Sequence, residues 1–359
     1  MNTFITALSL KEISEFTASA GQPSFRALQL AEWLYGKGAE SYSEMTNIPK
    51  AFREFLEETH PLVRPRITDL QKSKDGTGKF ILTFPDKVCV ETVALPSSNG
   101  KLTICCSSQA GCAMGCSFCA TGKEGFTRNL TAGEIVNQIY VAQKHMKQRV
   151  SNVVVMGQGE PFLNYDATLD ALRMLNHPKL FAIGARHMTI STCGIIPGIR
   201  RLSEEPEQFT LAVSLHAALQ KTRDELMPGV AKYPLQQLKK ALQAYVRATN
   251  RRVTLEYAMI SGINDSAEDR EALEDFCAGL LCHINLIPLN KIVDSPFQPS
   301  LTKTMTHWQA TLQKNGIETT IRHSRGSDIA GACGQLKNAF KHSSYVSRET
   351  YELPLKKLK

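Results

Sequence analysis

Three cysteines, Cys112, Cys116 and Cys119, constrain this chain more than any other feature; they lie within LTICCSSQAGCAMGCSFCATGKEGFTR at residues 102–128. A C-x3-C-x2-C triplet on one loop offers three soft thiolates, one fewer than a tetrahedral zinc site or a saturated cubane cluster requires. One iron of such a cluster would stay open to a small molecule that binds through an amine and a carboxylate. The competing reading is a structural zinc knuckle with its fourth ligand from elsewhere, but zinc ligands ordinarily come as a C-x2–4-C doublet.

Composition narrows the setting. A chain of 359 residues and 39.7 kDa has room for one large catalytic domain and a small accessory one. Its 42% hydrophobic and 21% charged content is that of a globular, soluble protein. No apolar run reaches the length of a membrane span, and Met1 to Leu10 lacks the charged start and apolar core of a signal peptide. A cytoplasmic protein with no membrane role is expected. Ten cysteines without a secretory segment then favour reduced thiols, metal ligation or redox catalysis over a disulfide scaffold. Lys and Arg number 42 against 34 Asp and Glu, a net charge of +8, which fits a polyanionic partner as well as merely basic solvated faces.

Along the chain, Ser9-Leu10-Lys11-Glu12 reads as a capping box that opens a helix ended by Gly21. Helical spacing recurs from Ser24 to Tyr35, and Pro49 can start a third helix carrying Phe52, Phe55 and Leu56. Residues 1–62 therefore form a small helical unit, with Arg26, Lys37, Lys50 and Arg53 available to phosphates. Short strands are expected at Ile67–Leu70, Lys79–Phe84 and Val88–Val93, a β extension that ends in a turn-rich linker at Pro96–Gly100, where a domain boundary is placed. From Lys101, strand-like runs alternate with amphipathic helices such as Thr131–His145, with its own Thr131-x-x-Glu134 capping box, and Leu235–Thr249. The fold class is α/β, six βα units in a partial (β/α)6 barrel over residues 101–345, with a late strand at Glu318–Arg322 and a basic tail at 346–359.

Chemistry in parallel α/β folds gathers at the carboxyl ends of the strands. After the first barrel strand comes the cysteine loop, and after the second Gly157-Gln158-Gly159-Glu160-Pro161, where glycines let backbone approach a ligand and Glu160 can accept from an ammonium group. Later strands end in Ser191, in Ser214-Leu215-His216 and in Asn290, which supply hydroxyl, imidazole and amide groups suited to ribose and adenine edges. Cys333 stands in a Gly- and Ala-rich stretch with little bulk to bury it. Cys106 points away from its neighbour Cys105 across the strand and reads as structural, Cys89, Cys277 and Cys282 read as core thiols, and Cys193 remains open.

Together CCSSQAGCAMGCSFCATG, GQGEPFLN, STCG, SLHA, NLIPLN and RGSDIAGACGQL resemble the RlmN and Cfr family of radical-SAM RNA methyltransferases. AEWLYGKG and EMTNIPKAFRE extend the likeness to that family's helical N-terminal domain, so it covers nearly the whole chain. Pro161 and the RGSDI run look more like the RlmN branch, which methylates carbon 2 of adenosine; the Cfr branch, acting on carbon 8, is the alternative. The resemblance implies a [4Fe-4S] cluster on Cys112, Cys116 and Cys119, shielded by Phe118, and S-adenosylmethionine held by Gly159, Glu160, Ser191, Ser214, Leu215, His216 and Asn290.

It further implies two S-adenosylmethionine molecules per turnover. Cys333 takes a methyl group from the first; the second yields a radical that activates this methyl, which then joins the adenine ring. Glu91 would accept the ring proton, and Cys105 would attack Cys333 to release product as a disulfide forms. The implied substrates are 23S rRNA at the peptidyl-transferase centre and adenosine 37 of some tRNAs, with flavodoxin or ferredoxin as reductant and a monomeric enzyme. A reading from another class, a non-catalytic iron–sulfur or zinc RNA-binding regulator, has no use for Cys105, Cys333 or the Gly159-Glu160 loop.

Overall fold

The computed structural model describes residues 4–293 and 295–337, so the expected basic tail lies outside the described residues. Three helices open the chain: α1 (Leu10–Ser19), α2 (Phe25–Ala31, continued by a wider turn at Glu32–Gly36) and α3 (Lys50–Thr59). The Ser9–Glu12 capping box forms, with each residue satisfying the other's backbone N–H. Phe16 stacks on Phe52 and Phe55 at 6.5 and 6.2 Å between ring centroids, which packs α1 on α3.

Two of the four cations expected to face phosphate do other work. Arg26 is buried and donates to Gln29 and to the Asn47 carbonyl, and Arg53 donates to the Ser43 carbonyl at 2.8 Å. A guanidinium can satisfy several backbone acceptors at once, so both serve as struts. Lys50 remains exposed beside Glu54, and Lys37 lies over the Trp33 ring at 3.8 Å.

Strands β1 (Arg66–Lys72), β2 (Gly78–Thr83) and β3 (Cys89–Pro96) follow, then β4 (Leu102–Cys106). Pro96–Gly100, read as an interdomain linker, is the turn of a hairpin: β3 pairs antiparallel with β4, Val93 opposite Cys105 and Pro96 opposite Leu102. The β extension thus continues the barrel sheet. A short hairpin of β5 (Gln109–Gly111) and β6 (Phe126–Asn129) flanks the cysteine loop and α4 (Ala120–Glu124).

The repeating part is α5 (Ala132–Met146), β7 (Val150–Val155), α6 (Tyr165–Asn176), β8 (Met188–Thr192), α7 (Ile196–Glu204), β9 (Thr210–Ser214), α8 (Gln220–Leu226), α9 (Leu235–Thr249), β10 (Val253–Met259), α10 (Ala267–Cys277), β11 (Cys282–Pro288), α11 (Thr302–Lys314) and β12 (Thr319–Ile321). The sheet order is β1-β2-β3-β4-β7-β8-β9-β10-β11-β12, parallel from β4 onward, with β1 and β12 as its edges. Crossover helices place neighbouring strands in parallel and bury their apolar faces, as Val153, Ile190, Leu211, Leu255 and Ile284 do here.

The helical unit docks on α5. Arg64 donates to Asn137 Oδ1 at 2.9 Å and to the Leu34 carbonyl at 2.6 Å, and its guanidinium lies 3.7 Å from the Tyr140 ring centroid. Asn137 in turn donates to the Thr6 carbonyl at 2.8 Å. Among the described residues no helix is long and apolar enough to cross a membrane.

Candidate active site

Side chains from β7 to β11, together with Arg322 just past β12, face one cavity, so the sheet curves around it. Its empty space is about 1070 Å³ including the part open to solvent, and Cys112, Cys116 and Cys119 form one wall. Gly159, Glu160, Ser191, Ser214, His216 and Asn290 line it too. Leu215 does not: its side chain is fully buried, and its amide donates to the Glu256 carbonyl at 3.0 Å.

The cysteine loop is held from several directions. The Cys112 amide donates to the Gly125 carbonyl, that of Ser117 to Leu226, and that of Gly229 to Met114. Burial pushes the Cys112 thiol up to about 12 and raises that of Cys119 as well. Buried thiols of this kind ionise when a metal pulls the proton off. Three thiols around one cavity fit a cubane, which spreads its ligands over separate irons; among the described residues no three His, Cys, Asp or Glu side chains converge tightly enough for a single ion.

Both glycines of the Gly157–Glu160 turn line the cavity, and they also pack against the chain itself. A Cβ at Gly157 would stand 2.7 Å from the Cys106 carbonyl oxygen, and one at Gly159, whose φ is +102°, 2.6 Å from Gln109 Cβ. The turn needs glycine because it packs against the chain's own strand β4 and hairpin. That packing delivers Glu160: its amide donates to Gln109 Oε1, and its carboxylate accepts from the amides of Phe162 at 2.9 Å and Cys193 at 2.6 Å. Burial raises its pKa, with those amides acting in the other direction. The carboxylate lines the cavity ready to receive an ammonium group.

His216, at φ +55°, accepts from the Ala258 amide through Nδ1 at 2.9 Å. Burial, then the charge of Arg223, lowers its pKa to about 3, so the ring is neutral with its proton on Nε2. Phe118 meets it edge to face, 4.8 Å between ring centroids, on the same cavity wall as the cysteines.

Cys333 is the exposed thiol among the described residues. Its loop is tied at four points: Asn290 Nδ2 donates to the Cys333 carbonyl at 3.0 Å, the Ala120 amide to the Gly334 carbonyl at 2.8 Å, Thr121 to the Leu336 carbonyl at 2.7 Å, and Gln335 Nε2 to the Lys291 carbonyl at 2.8 Å. Upstream, the β1–β2 turn grips it. Asp75 accepts from the Gly326 amide at 3.0 Å, Arg325 donates to the carbonyls of Asp75 and Pro96, and the Lys74 amide donates to Asp328. The β extension therefore positions the Cys333 loop.

Cys333 also lines a second, adjoining cavity, and there it shares the wall with Cys105. Burial, then the nearby Cys333, pushes the Cys105 thiol well above its ordinary range, while Arg322 acts to lower it. Cys106 is fully buried and lines neither cavity, as expected of a structural thiol. Cys277 is buried, but Cys89 and Cys282 are only half-buried, because each begins a strand rather than lying inside one. Cys193 lines the first cavity; its thiol pKa is raised, first by a hydrogen bond with Cys116 and then by burial.

Glu91 lines neither cavity. It is fully buried beneath the segment that follows Cys333, accepting from the Lys337 amide at 3.0 Å and lying 3.6 Å from Lys79 Nζ. Burial pushes its pKa up to about 7, against the opposing charge of Lys79.

Two lining residues were missed from sequence. Glu256 Oε1 accepts from Asn285 at 3.0 Å, and its Oε2 lies 3.8 Å from Arg322, which lines both cavities. A lone charge inside the apolar run of β10 and a cation just past β12 were the available signals.

The chain matches the profile of the Radical SAM superfamily over residues 106–277 and that of the ribosomal RNA large subunit methyltransferase N-terminal domain over residues 5–61. It is 43% identical to a probable dual-specificity RNA methyltransferase RlmN of Clostridium novyi, covering 94% of this chain and 98% of that one. It is also 43% identical to the protein of the same name from Geobacillus thermodenitrificans, over 93% of this chain and 92% of the relative. A crystal structure of a radical SAM methyltransferase from Sphaerobacter thermophilus superposes with a TM-score of 0.87 at 42% identity, covering 93% of this chain and 99% of that one. Membership brings a [4Fe-4S] cluster and S-adenosylmethionine as cofactors, and the non-catalytic regulator falls away. The chain belongs to the RlmN family of radical-SAM RNA methyltransferases.

Proposed function

We propose that this enzyme methylates carbon 2 of an adenosine in 23S rRNA at the peptidyl-transferase centre, and adenosine 37 of tRNA, in the cytoplasm. The observation that carries the reading is that Cys333, exposed on its loop, lines both the cavity of the three cysteines and the cavity of Cys105. A methyl carrier must meet the cofactor on one side and its resolving thiol on the other. The dual-specificity names of the relatives support the two RNA substrates.

Cys112, Cys116 and Cys119 hold the cluster, which when bound supplies one-electron cleavage of S-adenosylmethionine. Glu160 takes the ammonium group of that cofactor, and Ser191, Ser214, the Nε2–H of His216 and Asn290 orient the rest; Leu215 contributes through its backbone. Cys333 carries the methyl carbon to the adenine ring as a thioether. Glu91 takes the proton lost from the ring, and Cys105 frees the product by forming a disulfide with Cys333. Arg322, lining both cavities, acts to favour the thiolate form of Cys105. The exposed Lys50 and the basic balance of the chain support contact with RNA phosphates by the N-terminal helices. A flavodoxin or ferredoxin supplies electrons to a monomeric enzyme.

Mass spectrometry of nucleosides from cells with and without the gene tests this reading. Loss of 2-methyladenosine from both 23S rRNA and tRNA is expected; 8-methyladenosine as the product would move the enzyme to the carbon-8 branch. Replacing Cys112, Cys116 or Cys119 by Ala should each abolish the cluster of the anaerobically purified protein, and iron retained in all three would refute the ligand set.

A further inference from the structure

Against the cysteine loop sits a buried cation that, among the described residues, has no carboxylate in ion-pair contact. Arg223, on the short helix α8, is fully buried; its Nη2 donates to the Cys193 carbonyl at 2.6 Å, while Nε and Nη1 are buried without a hydrogen-bond partner. Of the other buried cations among the described residues, Lys79 lies beside the Glu91 carboxylate, and Arg26, which keeps some exposure, donates to Gln29 and the Asn47 carbonyl. A buried guanidinium without a counter-charge is costly, so its retention needs an anion that the side chains do not supply.

The surroundings identify that anion. The groups whose charge acts favourably on Arg223 are Cys193 first, then Cys116, and last the adjacent Asp224. Helix α8 is fastened to the cysteine loop: the Ser117 amide donates to the carbonyl of Leu226, the last residue of the helix, at 3.0 Å. On the other side, the Cys193–Gly194 turn packs on the guanidinium so closely that a Cβ at Gly194 would stand 3.1 Å from Nη2. Arg223 is thus held between the Cys193–Gly194 turn, which lines the cysteine cavity through Cys193, and a helix fastened to the cysteine loop.

We propose that Arg223 is the built-in counter-charge of the iron–sulfur group, a positioning residue that offsets the charge of the Cys116 thiolate and favours the reduced cluster. This rests on Cys112, Cys116 and Cys119 being the ligands. A cubane with three thiolates is anionic and gains a further negative charge on one-electron reduction, so a fixed cation in a low-dielectric wall stabilises the reduced form more than the oxidised one. Arginine suits this place because its planar fork can bind a backbone carbonyl through one nitrogen and still present other N–H groups to an anion.

The test uses the full chain, loaded with iron and sulfide anaerobically, with Arg223→Met to remove the charge and Arg223→Lys to keep it. In a potentiometric titration followed by electron paramagnetic resonance, Arg223→Met is expected to hold iron yet show at least a tenfold lower ratio of reduced to oxidised cluster at fixed potential. That corresponds to a shift of about 59 mV to more negative values for one electron. Arg223→Lys should recover most of the difference. An unchanged potential in iron-loaded Arg223→Met overturns the proposal, as does Arg223→Lys falling as far as Arg223→Met, since shape would then be the cause. A second measurement decides even if Arg223→Met takes up no iron. Without the cluster the cation is an unpaired burden, so cluster-free Arg223→Met should melt above cluster-free wild type, and a lower melting temperature overturns the proposal. Failure of the ligand reading is seen separately, as Cys116→Ala holding as much cluster as the wild type.

Discussion

Asn290, just past β11, donates from its side-chain amide to the backbone carbonyl of Cys333 at 3.0 Å. The contact joins a residue that lines both cavities to the proposed methyl acceptor, so the cavity wall and the acceptor share one support. Asn290→Ala should slow transfer of radiolabelled methyl from S-adenosylmethionine to the protein by about ten- to a hundredfold, as a displacement of about 1 Å at a reacting centre does. Iron content should not change. An unaltered rate would mean that the loop is held without this contact.

Cys105 and Cys333 share a cavity wall, and neither belongs to the cysteine triplet. Cys333→Ala should keep its cluster yet never accept a methyl group. Cys105→Ala should accept the methyl, react with RNA and stall, so that the purified protein migrates with nuclease-sensitive RNA on a denaturing gel. Recovery of RNA-free Cys105→Ala with normal turnover would remove its proposed role.

Glu91 should leave a pH signature. Its pKa is raised to about 7 in the folded protein, first by burial. A carboxyl with a raised folded pKa adds stability that is fully present below its unfolded value near 4.3, and loses it as pH rises through about 7. The difference is worth on the order of 4 kcal/mol between those limits. Glu91→Gln should flatten the stability profile across that window, measured by denaturant unfolding at pH 4, 5.5 and 8, and should block product release. In the wild type, the release step should gain rate with an apparent pKa near 7. A profile as steep in Glu91→Gln as in wild type would assign the dependence to another group.

Asp75 is the grip of the β extension on the Cys333 loop. Burial acts to raise its pKa, but hydrogen bonds from Thr77 and the Gly326 amide outweigh it, and the carboxyl stands well below its ordinary range. That stabilisation is present above the unfolded pKa near 3.9 and is lost as pH falls through the lower folded value. Asp75→Ala should cost about 1 kcal/mol, the worth of one hydrogen bond, and should slow methylation of Cys333 by roughly tenfold with the cluster intact. Thermal melts and iron assays on the same preparation separate the two effects.

Much of this was legible in the amino-acid order alone. The alternation of apolar runs with helical spacing determined the parallel strands, since a buried strand and its crossover helix each need their own period. The Ser9 and Thr131 capping boxes marked two helix starts, and the spacing of Cys112, Cys116 and Cys119 identified the metal chemistry. What lay outside its reach were relations between segments far apart in the chain. Arg26 reads as a surface cation on a helix, yet the Asn47 carbonyl captures it. Pro96–Gly100 reads as a linker because a turn is polar whether it ends a domain or joins two strands of one sheet. Gly157 and Gly159 also leave room for Cys106 and Gln109, neighbours that the sequence does not reveal. Arg223 has nothing in its neighbourhood QKTRDEL to mark it; its burial against Cys193 and the cysteine loop exists only once α8 has folded onto that loop. Local propensity and spacing are properties of neighbours, whereas desolvation and charge balance depend on whatever the fold brings alongside.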